Sequence, residues 1–221
     1  MIYYISDLHY FDELVVHFKD CRPFASTEEM NRYMIRQWNS RVTGQDTVYV
    51  LGDFIKGSGR QANEILRQLA GRICLIVGNH DEYLQDPEYD RSRFEWVRSY
   101  AEIKDGDHFV VMSHYPMIFY NNQYRSEEGI FHSVMLHGHI HRTYDDAMLR
   151  ELIALQRRHR QRLYGYKGVT DTPSTIVNTF CMFSDYIPLT ADEWIRVQKK
   201  REEQDPTKEK PHYAPGGGIP V

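Results

Sequence analysis

Five short apolar runs in this chain are each followed at once by side chains that can bind metal ions. The runs are rich in β-branched and aromatic residues, which favours buried strands. Between most of the runs lie segments whose apolar residues recur at the spacing of a helix. This alternation predicts an α/β fold, in which loops beyond the carboxyl ends of strands lie at one edge of a sheet. The residues that follow the runs are Asp7 with His9, Asp53, Asn79 with His80, His114, and His139 with His141. We expect these side chains to converge on one site.

The sequence predicts strands and helices along most of its length. Strands are expected over residues 2–6, 47–51, 73–77, 109–113, 133–136 and 175–183. Helices are expected over residues 26–39, 61–70, 91–104 and 144–163, and again after residue 190. Ser26 with Glu29, and Thr190 with Glu193, have the spacing of a capping box, which indicates the start of a helix.

The length of the chain limits how many domains it can form. With 221 residues, of which 41% are hydrophobic, it can bury one substantial core but hardly two. We expect a single domain over residues 1–204. The tail, residues 205–221, is rich in Pro and Gly and is expected to be loosely held, because it cannot build a core of its own. We interpret residues 144–176 as an insertion whose role the sequence does not indicate.

Nothing in the sequence predicts export or a membrane partner. The stretch MIYYISDLH at the start lacks the basic region and apolar run of a signal peptide and already resembles a strand. No apolar run approaches the ~20 residues needed to span a bilayer. The three cysteines are widely spaced, which is typical of reduced thiols rather than of a disulfide framework. We expect a cytoplasmic protein, and these features do not predict its oligomeric state.

The charge of the chain bears on its partners. A formal net charge of -4 argues against general affinity for nucleic acid, which normally requires a basic surface. The basic stretch RRHRQR, residues 157–162, could still bind the phosphates of a nucleotide or of a nucleic-acid backbone. A solvated helix face is the simpler interpretation of that stretch, so a nucleic-acid partner stays open but is not favoured.

The stretch LHGHIH, residues 136–141, contains the densest group of imidazoles. If a strand continues through it, His139 and His141 lie on the same side of the backbone, because strand side chains alternate with a period of two. Gly138 indicates a bend or a close approach, as glycine within a strand pattern often does. Solvated histidines at a polar strand end are the alternative explanation. We assign His137 to packing or to a supporting hydrogen bond.

The motifs of this chain occur in a fixed order between residues 7 and 141. They are Asp-x-His, Gly-Asp, Gly-Asn-His-Asp, a lone His, and Gly-His-x-His. Together they resemble the calcineurin-like metallophosphoesterase superfamily, and in particular its small bacterial members. The resemblance implies an α/β fold built as a four-layer α/β/β/α sandwich, in which helices flank two sheets. It also implies two divalent metal ions at the carboxyl ends of the strands.

The resemblance assigns roles to individual residues. One metal ion would be held by Asp7, His9, Asp53 and His141. The other would be held by Asp53, Asn79, His114 and His139. Asp53 would therefore bridge the two ions. His80 would be the general acid that protonates the leaving oxygen, a role that histidine can fill near neutral pH. The candidate catalytic residues are thus His80 and Asp53.

The types of ligand make chemical sense on their own. Oxygen and imidazole ligands without thiolate suit borderline divalent ions such as Mn, Fe, Co, Ni or Zn, and we favour Mn. Two such ions about 3.5 to 4 Å apart can acidify a shared water into a hydroxide nucleophile and neutralise the phosphoryl oxygens. The predicted reaction is metal-dependent hydrolysis of a phosphate ester.

The substrate is less constrained than the chemistry. We favour a phosphodiester or a small nucleotide. The alternatives are a nuclease that acts on polymeric DNA or RNA, and a noncatalytic protein-interaction scaffold on the same fold. Arg22, Tyr115 and Asn122 are candidate substrate residues because they lie close to the motifs in sequence. A protein phosphatase is disfavoured, because Gly52-Asp53 is not followed by Asp-Arg-Gly.

Two segments depart from what the resemblance leads us to expect. Tyr10-Phe11-Asp12 follows the first motif where small bacterial relatives often carry Phe-Gly-His. The segment NTFCM, residues 178–182, stands where they often carry Asn-Val-Gly-Val-Asp. Both segments lie outside the predicted ligands, so we expect them to alter the substrate pocket and to leave the metal chemistry intact.

Overall fold

Two four-stranded sheets form the framework of the protein. The computed structural model describes residues 1–123, 132–158, 161–162, 169–170 and 174–204, without the side chains of residues 157–170. All strands of the first sheet are parallel. In order across that sheet they are β1 (Ile2–Ile5), β2 (Thr47–Val50), β3 (Arg72–Ile76) and β4 (Trp96–Arg98).

The second sheet combines parallel and antiparallel strands. Its members are β5 (Tyr100–Asp105), β6 (His108–Ser113), β7 (His132–His137) and, beyond a separate pair of short strands, β10 (Thr175–Asn178). The spatial order is β10, β7, β6, β5, and only β5 is antiparallel to its neighbour. The separate antiparallel pair consists of β8 (Gln161–Arg162) and β9 (Val169–Thr170).

The described residues contain four α-helices. They are α1 (Thr27–Asn39), α2 (Gly59–Gln68), α3 (Tyr144–Arg158) and α4 (Ala191–Glu203). Shorter turns are the π-helical segment Val15–Lys19 and the 3₁₀ segments Glu82–Gln85, Arg91–Arg93 and Cys181–Ser184. No helix in the described part of the chain is long and apolar enough to cross a membrane.

Three apolar cores separate the sheets and helices into four layers. Side chains alternate between the two faces of a strand, so neighbouring residues enter different cores. In β6, Val111 packs in the same core as residues of α3, whereas Val110 and Met112 face the first sheet. In β1, Ile5 packs with residues of α1 and α2, and Tyr4 faces the second sheet. The four-layer sandwich implied by the resemblance is therefore confirmed.

Side-chain caps determine where three helices begin. The Thr190 and Glu193 side chains form the complete capping box that was predicted at the start of α4. At α1, the hydroxyl of Ser26 accepts the N–H of Glu29, as predicted, but the Glu29 carboxylate accepts from the N–H of Ala25. A third box at Ser58 starts α2 at residue 59, earlier than predicted.

The prediction of a helix over residues 91–104 is wrong. After a short 3₁₀ turn the segment forms β4 and then β5, and β4 extends the first sheet by pairing with β3. In β5, Ala101 is buried and Ile103 half-buried, while the residues on either side of them are exposed. This alternation has the period of a strand, and pairing with β6 along the whole of β5 confirms it.

Several boundaries differ from the predicted ones, and some predictions cannot be compared. The last strand ends at Asn178 and is followed by a 3₁₀ turn, and α3 ends at Arg158. The tail, residues 205–221, lies outside the described residues, as do the side chains of the basic stretch at 157–162. The single domain over residues 1–204 and the loosely held tail stay predictions.

Trp194 anchors α4 to the apolar core between the two sheets. It is fully buried, and its indole Nε1–H donates to the carbonyl of Tyr4 at 2.7 Å. Trp194→Ala should lower the free energy of unfolding by about 3–5 kcal/mol, the usual cost of truncating a buried aromatic side chain. Leu155→Ala, at a side chain that is 47% exposed on α3, should lower it by less than about 0.5 kcal/mol. Denaturant unfolding followed by circular dichroism measures both, and equal losses would contradict this account.

Candidate metal centre

Sharply turned backbone presents the candidate ligands at the strand ends. Five of them have left-handed φ angles, which residues other than glycine rarely adopt. They are Asp7 (55°), His9 (50°), Asp53 (52°), His139 (71°) and His141 (44°). β7 ends at His137, one residue beyond the predicted strand, and does not continue through residues 139–141. His139 and His141 reach the same site through these turns and not through strand alternation.

Hydrogen bonds tie the turned loops to one another. The N–H of His9 donates to the carbonyl of Asp53 at 2.9 Å, which joins the loops after β1 and β2. The carboxylate of Asp7 accepts from the N–H of His139 at 2.9 Å, which joins the first sheet to the loop after β7. The strand ends of the two sheets therefore meet at one edge of the sandwich.

The first group of candidate ligands is entirely buried. Its members are Asp7, His9, Asp53 and His141. Each offers one ligand atom, and the four atoms lie within 4.8 Å of one another. The Nε2 atoms of His9 and His141 are only 3.2 Å apart, and Nε2 of His141 lies 3.4 Å from Oδ1 of Asp7. Two imidazoles thus aim their Nε2 atoms at one point between carboxylates.

The second group shares one carboxylate with the first. Asp53, His114 and His139 offer ligand atoms within 4.8 Å of one another, and Oδ1 of Asn79 lies 3.1 Å from Nε2 of His114. Oδ2 of Asp53 lies 3.5 Å from Nε2 of His114 and 3.5 Å from Nε2 of His9. One carboxylate oxygen therefore lies between the two groups. Six of the seven predicted ligands belong to one group or to both, and the seventh, Asn79, lies beside His114.

Three of the imidazoles place Nδ1 against an oxygen acceptor on the side away from the cluster. The pairs are His9 with Asp12 (3.1 Å), His141 with Asp20 (2.7 Å), and His114 with the backbone carbonyl of Leu51 (2.8 Å). A neutral imidazole that donates from Nδ1–H presents a lone pair at Nε2, which is the usual arrangement of a metal ligand. The Nε2 atoms are the ones that face the cluster. The donor set therefore fits bound metal ions.

Buried carboxylates make the centre favourable for positive charge. Burial alone would lower the pKa of His141, but hydrogen bonds to Asp20 and Asp7 outweigh burial and raise the pKa to about 9. Burial would likewise lower the pKa of His114, but its contact with Asp53 and the negative charges of Asp7 and Asp53 together outweigh burial and raise the pKa to about 9. Burial would raise the pKa of Asp53, but its contact with His114 lowers it. Divalent ions would supply this positive charge in place of protons.

Two glycines are required by the close approach of loops to ligands. A Cβ at Gly78 would lie 2.3 Å from Oδ1 of Asp53, and a Cβ at Gly138 would lie 2.5 Å from Oδ2 of Asp7. Real Cβ atoms essentially never come this close to a neighbour. Any larger residue would therefore displace the carboxylate, and the close approach that the sequence indicated at Gly138 is to Asp7.

Arg22 lies behind the cluster and not in a substrate pocket. Its side chain is buried, and the guanidinium donates to the backbone carbonyls of Leu8 (2.7 Å) and Asp7 (2.9 Å) and pairs with Asp20 (3.0 Å). These bonds direct its donors into the protein. Arg22 therefore holds the loop of the first motif and orients Asp20, so the expectation that it contacts substrate is corrected.

The two segments that depart from the resemblance also lie behind the ligands. Asp12 contacts a ligand imidazole, as described above. In the other segment, the side-chain amide of Asn178 donates to the carbonyl of His141 at 2.8 Å, and Sγ of Cys181 lies 3.1 Å from the carbonyl of Asp7. At these contacts the segments support ligand-bearing loops, where we had expected changes to the substrate pocket.

His80 lies at the rim of the cluster. Its side chain is half-buried, its ring centroid is 5.5 Å from that of His9, and neither ligand group found among the described residues includes it. Its backbone N–H donates to Oδ1 of Asp53 at 2.8 Å. The ammonium of Lys56 lies 3.5 Å from Nδ1 of His80.

The other two substrate candidates differ in position. Tyr115 is 50% exposed, and its ring centroid lies 4.4 Å from that of His139, at the edge of the second ligand group. Asn122 is half-buried with a left-handed φ of 59°. Hydrogen bonds, ion pairs and ring contacts in the described part of the chain do not join Asn122 to the cluster. Tyr115 stays a candidate, and Asn122 gains no support.

His137 has the supporting position that the sequence analysis gave it. It is fully buried, and its Nδ1 pairs with the carbonyl of Gly138 at 2.8 Å. Burial lowers its pKa to about 4, so the ring is neutral at physiological pH. His137 therefore acts in packing, beside the ligands.

Sequence reasoning missed three polar residues of the centre: Asp12, Asp20 and Lys56. No motif indicates them. Asp20 and Lys56 reach their histidines through the fold, and Asp12 reaches His9 over three positions of sequence. The one available signal was general: a metal-binding imidazole commonly donates its second N–H to a carboxylate. Two aspartates close to the first motif could have been examined for that role.

Comparison with known proteins agrees with this geometry. A family model for the calcineurin-like phosphoesterase superfamily domain matches residues 1–161. The chain belongs to the calcineurin-like phosphoesterase superfamily. Members of this superfamily typically bind two divalent metal ions, and the buried Asp and His cluster is compatible with such a pair.

Several relatives share the fold without revealing a substrate. An uncharacterized protein of Methanocaldococcus jannaschii, MJ1445, is 32% identical over 149 residues, which are 66% of this chain and 72% of the relative. The Gene 66 protein of Mycobacterium phage D29 is 29% identical over 164 residues, which are 63% of this chain and 78% of the phage protein. The crystal structure of AQ665, a protein of unknown function from Aquifex aeolicus, matches with a TM-score of 0.59 and 23% identity, over 87% of this chain and 96% of that one. The last likeness concerns the fold alone.

The packing at Gly138 predicts a selective loss of metal binding. Gly138→Ala should push the Asp7 carboxylate away, because the new Cβ would lie 2.5 Å from its Oδ2. We expect metal content after reconstitution to fall by at least one ion per chain. Gly44→Ala is the matched control, because a Cβ there meets nothing within 4 Å. Metal analysis of the two purified variants measures the difference, and full occupancy in Gly138→Ala would contradict the predicted role of Asp7.

Proposed function

We propose that this protein is a two-metal phosphoesterase that hydrolyses a phosphodiester or a small nucleotide. The observation that carries the proposal is the position of Asp53, whose Oδ2 lies 3.5 Å from Nε2 of His9 in one ligand group and of His114 in the other. A carboxylate shared in this way is what a pair of ions requires. Membership of the superfamily supports the hydrolase assignment, although some members are noncatalytic.

The candidate ligands would hold the two ions as follows. Asp7, His9, Asp53 and His141 would hold one ion, and Asp53, Asn79, His114 and His139 the other, with Mn favoured. When bound, two such ions supply an acidified water as nucleophile and neutralise the charge on phosphoryl oxygens. Burial of Asp7, His9, Asp53, His114 and His141 strengthens their attraction for the ions, because charges interact more strongly away from water.

His80 is proposed to protonate the leaving oxygen. It lies at the rim, beside the cluster but outside both ligand groups found among the described residues, with the ammonium of Lys56 3.5 Å from its Nδ1. Its backbone is fixed by the hydrogen bond to Asp53. A side chain held next to the reacting centre, with a proton to give and no metal to bind, is suited to general acid catalysis.

The rim of the site favours a small substrate with a planar group. Tyr115 exposes half of its surface beside His139, so its ring can stack on a nucleobase or an aryl group. The net charge of -4 disfavours a long polyanion, which supports a small ester over polymeric DNA or RNA. A noncatalytic scaffold is disfavoured because all seven predicted ligands and His80 are present.

Removal of metal should abolish activity. After exhaustive treatment with EDTA, hydrolysis of bis-p-nitrophenyl phosphate should fall to background, and Mn²⁺ or a neighbouring divalent ion should restore it, because the ligand set suits these ions. A screen of the reconstituted protein over model monoesters, model diesters and nucleotides then identifies the preferred ester. Activity that survives chelation would rule out the proposed chemistry, and absence of activity on every ester would favour the scaffold.

The acid and the ligands should be separable by mutation. His80→Ala should keep about two ions per chain and lower kcat by about 10²–10⁴-fold on an ester with an alkoxide leaving group, the usual contribution of a positioned general acid. Asp53→Asn should lose metal and turnover together, because it weakens the carboxylate between both groups. Metal analysis and steady-state kinetics measure the two effects.

The leaving group provides the internal control for His80→Ala. A p-nitrophenolate leaves without a proton, whereas a ribose hydroxyl needs one, so the defect should be small for the activated ester and large for the nucleotide. An equal defect for both esters would show that His80 binds the phosphate group. Loss of metal in His80→Ala would show that it is a ligand.

A further inference from the structure

The two halves of the metal centre differ in what supports their imidazoles. Behind His9 lies the carboxylate of Asp12, with Oδ2 3.1 Å from Nδ1, and behind His141 lies that of Asp20, with Oδ1 2.7 Å from Nδ1. Both carboxylates are largely buried and lie at the back of the same ligand group, Asp20 in a hydrogen bond with His141 and Asp12 at ion-pair distance from His9. We propose that Asp12 and Asp20 are positioning residues that make the half-site of Asp7, His9, Asp53 and His141 bind its divalent ion first and more tightly than the other half-site.

The other half-site has no comparable support. Nδ1 of His114 faces the neutral backbone carbonyl of Leu51 at 2.8 Å. The ring of His139 is half-buried, and the contacts of this ring in the described part of the chain are with the rings of His114 and Tyr115. Asn79 adds a neutral, exposed amide. Asp53 is therefore the only carboxylate in the ligand group of this half-site, and Asp53 also belongs to the first half-site.

Hydrogen bonds to one oxygen of each supporting aspartate orient the carboxylate so that its other oxygen faces the imidazole. Oδ1 of Asp12 accepts the N–H of Leu14 at 2.9 Å, which leaves Oδ2 facing His9. Oδ2 of Asp20 accepts from the guanidinium of Arg22 at 3.0 and 3.1 Å, which leaves Oδ1 facing His141. The two carboxylates thus stand in place before an ion arrives.

Unequal affinity follows from this difference in support. A carboxylate behind an imidazole fixes the ring and its tautomer and increases the basicity of the ligand nitrogen, and loss of such a partner commonly weakens metal binding by about 10- to 100-fold. Four carboxylates, Asp7, Asp12, Asp20 and Asp53, surround the first half-site, and their negative charge attracts a divalent ion in a buried environment. The proposal rests on the proposed function in one respect, because it presupposes a two-ion centre.

Titration of the metal-free full-length protein with Mn²⁺ tests the proposal without measuring hydrolysis. Isothermal calorimetry should give two steps for the wild type, with Kd values at least tenfold apart. Asp12→Asn and Asp20→Asn keep the shape of the side chain but remove its charge, and each should weaken the tighter step by about 10- to 100-fold. The weaker step should change by less than about threefold, because its imidazoles contact neither aspartate.

Two control variants show, without the aspartate variants, which binding step belongs to which half-site. His139→Ala removes a ligand from the second half-site alone, so it should abolish the weaker step and keep the tighter one. Asp107→Asn makes the same chemical change at an exposed turn and should alter neither step. The visible spectrum of bound Co²⁺ in the first step should change in Asp12→Asn and stay the same in Asp107→Asn, which a general loss of stability would not produce.

The outcomes separate this inference from the proposed function. Two ions bound with equal Kd values, or aspartate variants that weaken only the second step or neither, would overturn the inference and leave a two-metal hydrolase intact. Failure of the wild type to bind any Mn²⁺, Co²⁺ or Zn²⁺ would overturn both. If Asp20→Asn fails to fold because Arg22 loses its partner, Asp12→Asn still decides, since it leaves that ion pair in place.

Discussion

Left-handed backbone at the strand ends is the constraint on which the rest of the site depends. Five candidate ligands, including Asp53, occupy this region of φ. Such conformations cost of order 1–3 kcal/mol each and persist only where the surroundings hold them. Their combined cost is comparable with the net stability of a typical domain, about 5–15 kcal/mol. The ligands therefore cannot be presented by the loops alone, and the packed layers beneath them must supply the stability.

The surroundings of the ligand loops show how this backbone is held. Asp81, the last residue of the Gly-Asn-His-Asp motif, is buried and accepts the N–H groups of Asp53 (3.1 Å), Phe54 (2.8 Å) and Gly78 (2.7 Å). Burial raises the pKa of this carboxyl to about 6. One side chain thus fixes the loops after β2 and β3 together. Arg22 does the same for the first motif, through the carbonyls of two successive residues.

The parts of the fold that could be predicted are those that depend on local patterns. The end of an apolar strand is visible in sequence, and parallel strands of one sheet share an edge, so convergence of Asp7, Asp53 and Asn79 followed from order alone. The caps of α1 and α4 were visible for the same reason. His114 follows a strand of the second sheet, and its approach to Asp53 depends on how the two sheets pack. The prediction failed over residues 91–104, where pairing of β4 with β3 decides the structure and no local signal reveals the partner.

Much of the support behind the ligands could not be predicted, because it depends on contacts between distant segments, although Asp12 lies only three residues after His9. Asp20 meets His141 across 121 positions of sequence, and Cys181 meets Asp7 across 174. Neither contact has a spacing rule. Strand alternation was the reason given for bringing His139 and His141 together, whereas in the structure left-handed turns aim them and the N–H of His139 donates to the carboxylate of Asp7.

Differences between this chain and its relatives act at two depths with different consequences. Residues behind the ligands, such as Asp12, contact imidazoles and backbone, so a change there alters how firmly ions are held and hardly touches the substrate.

Residues at the rim contact any molecule that enters the site. Lys56 is 35% exposed and pairs with Glu82, itself 74% exposed, so this ion pair contributes little to stability and its ammonium is available to a bound anion. The ammonium also lies next to His80, which places a positive charge on the side where the leaving group would depart. Substrate preference in this protein is therefore expected to depend on Lys56 and Tyr115, while the buried aspartates set the metal chemistry.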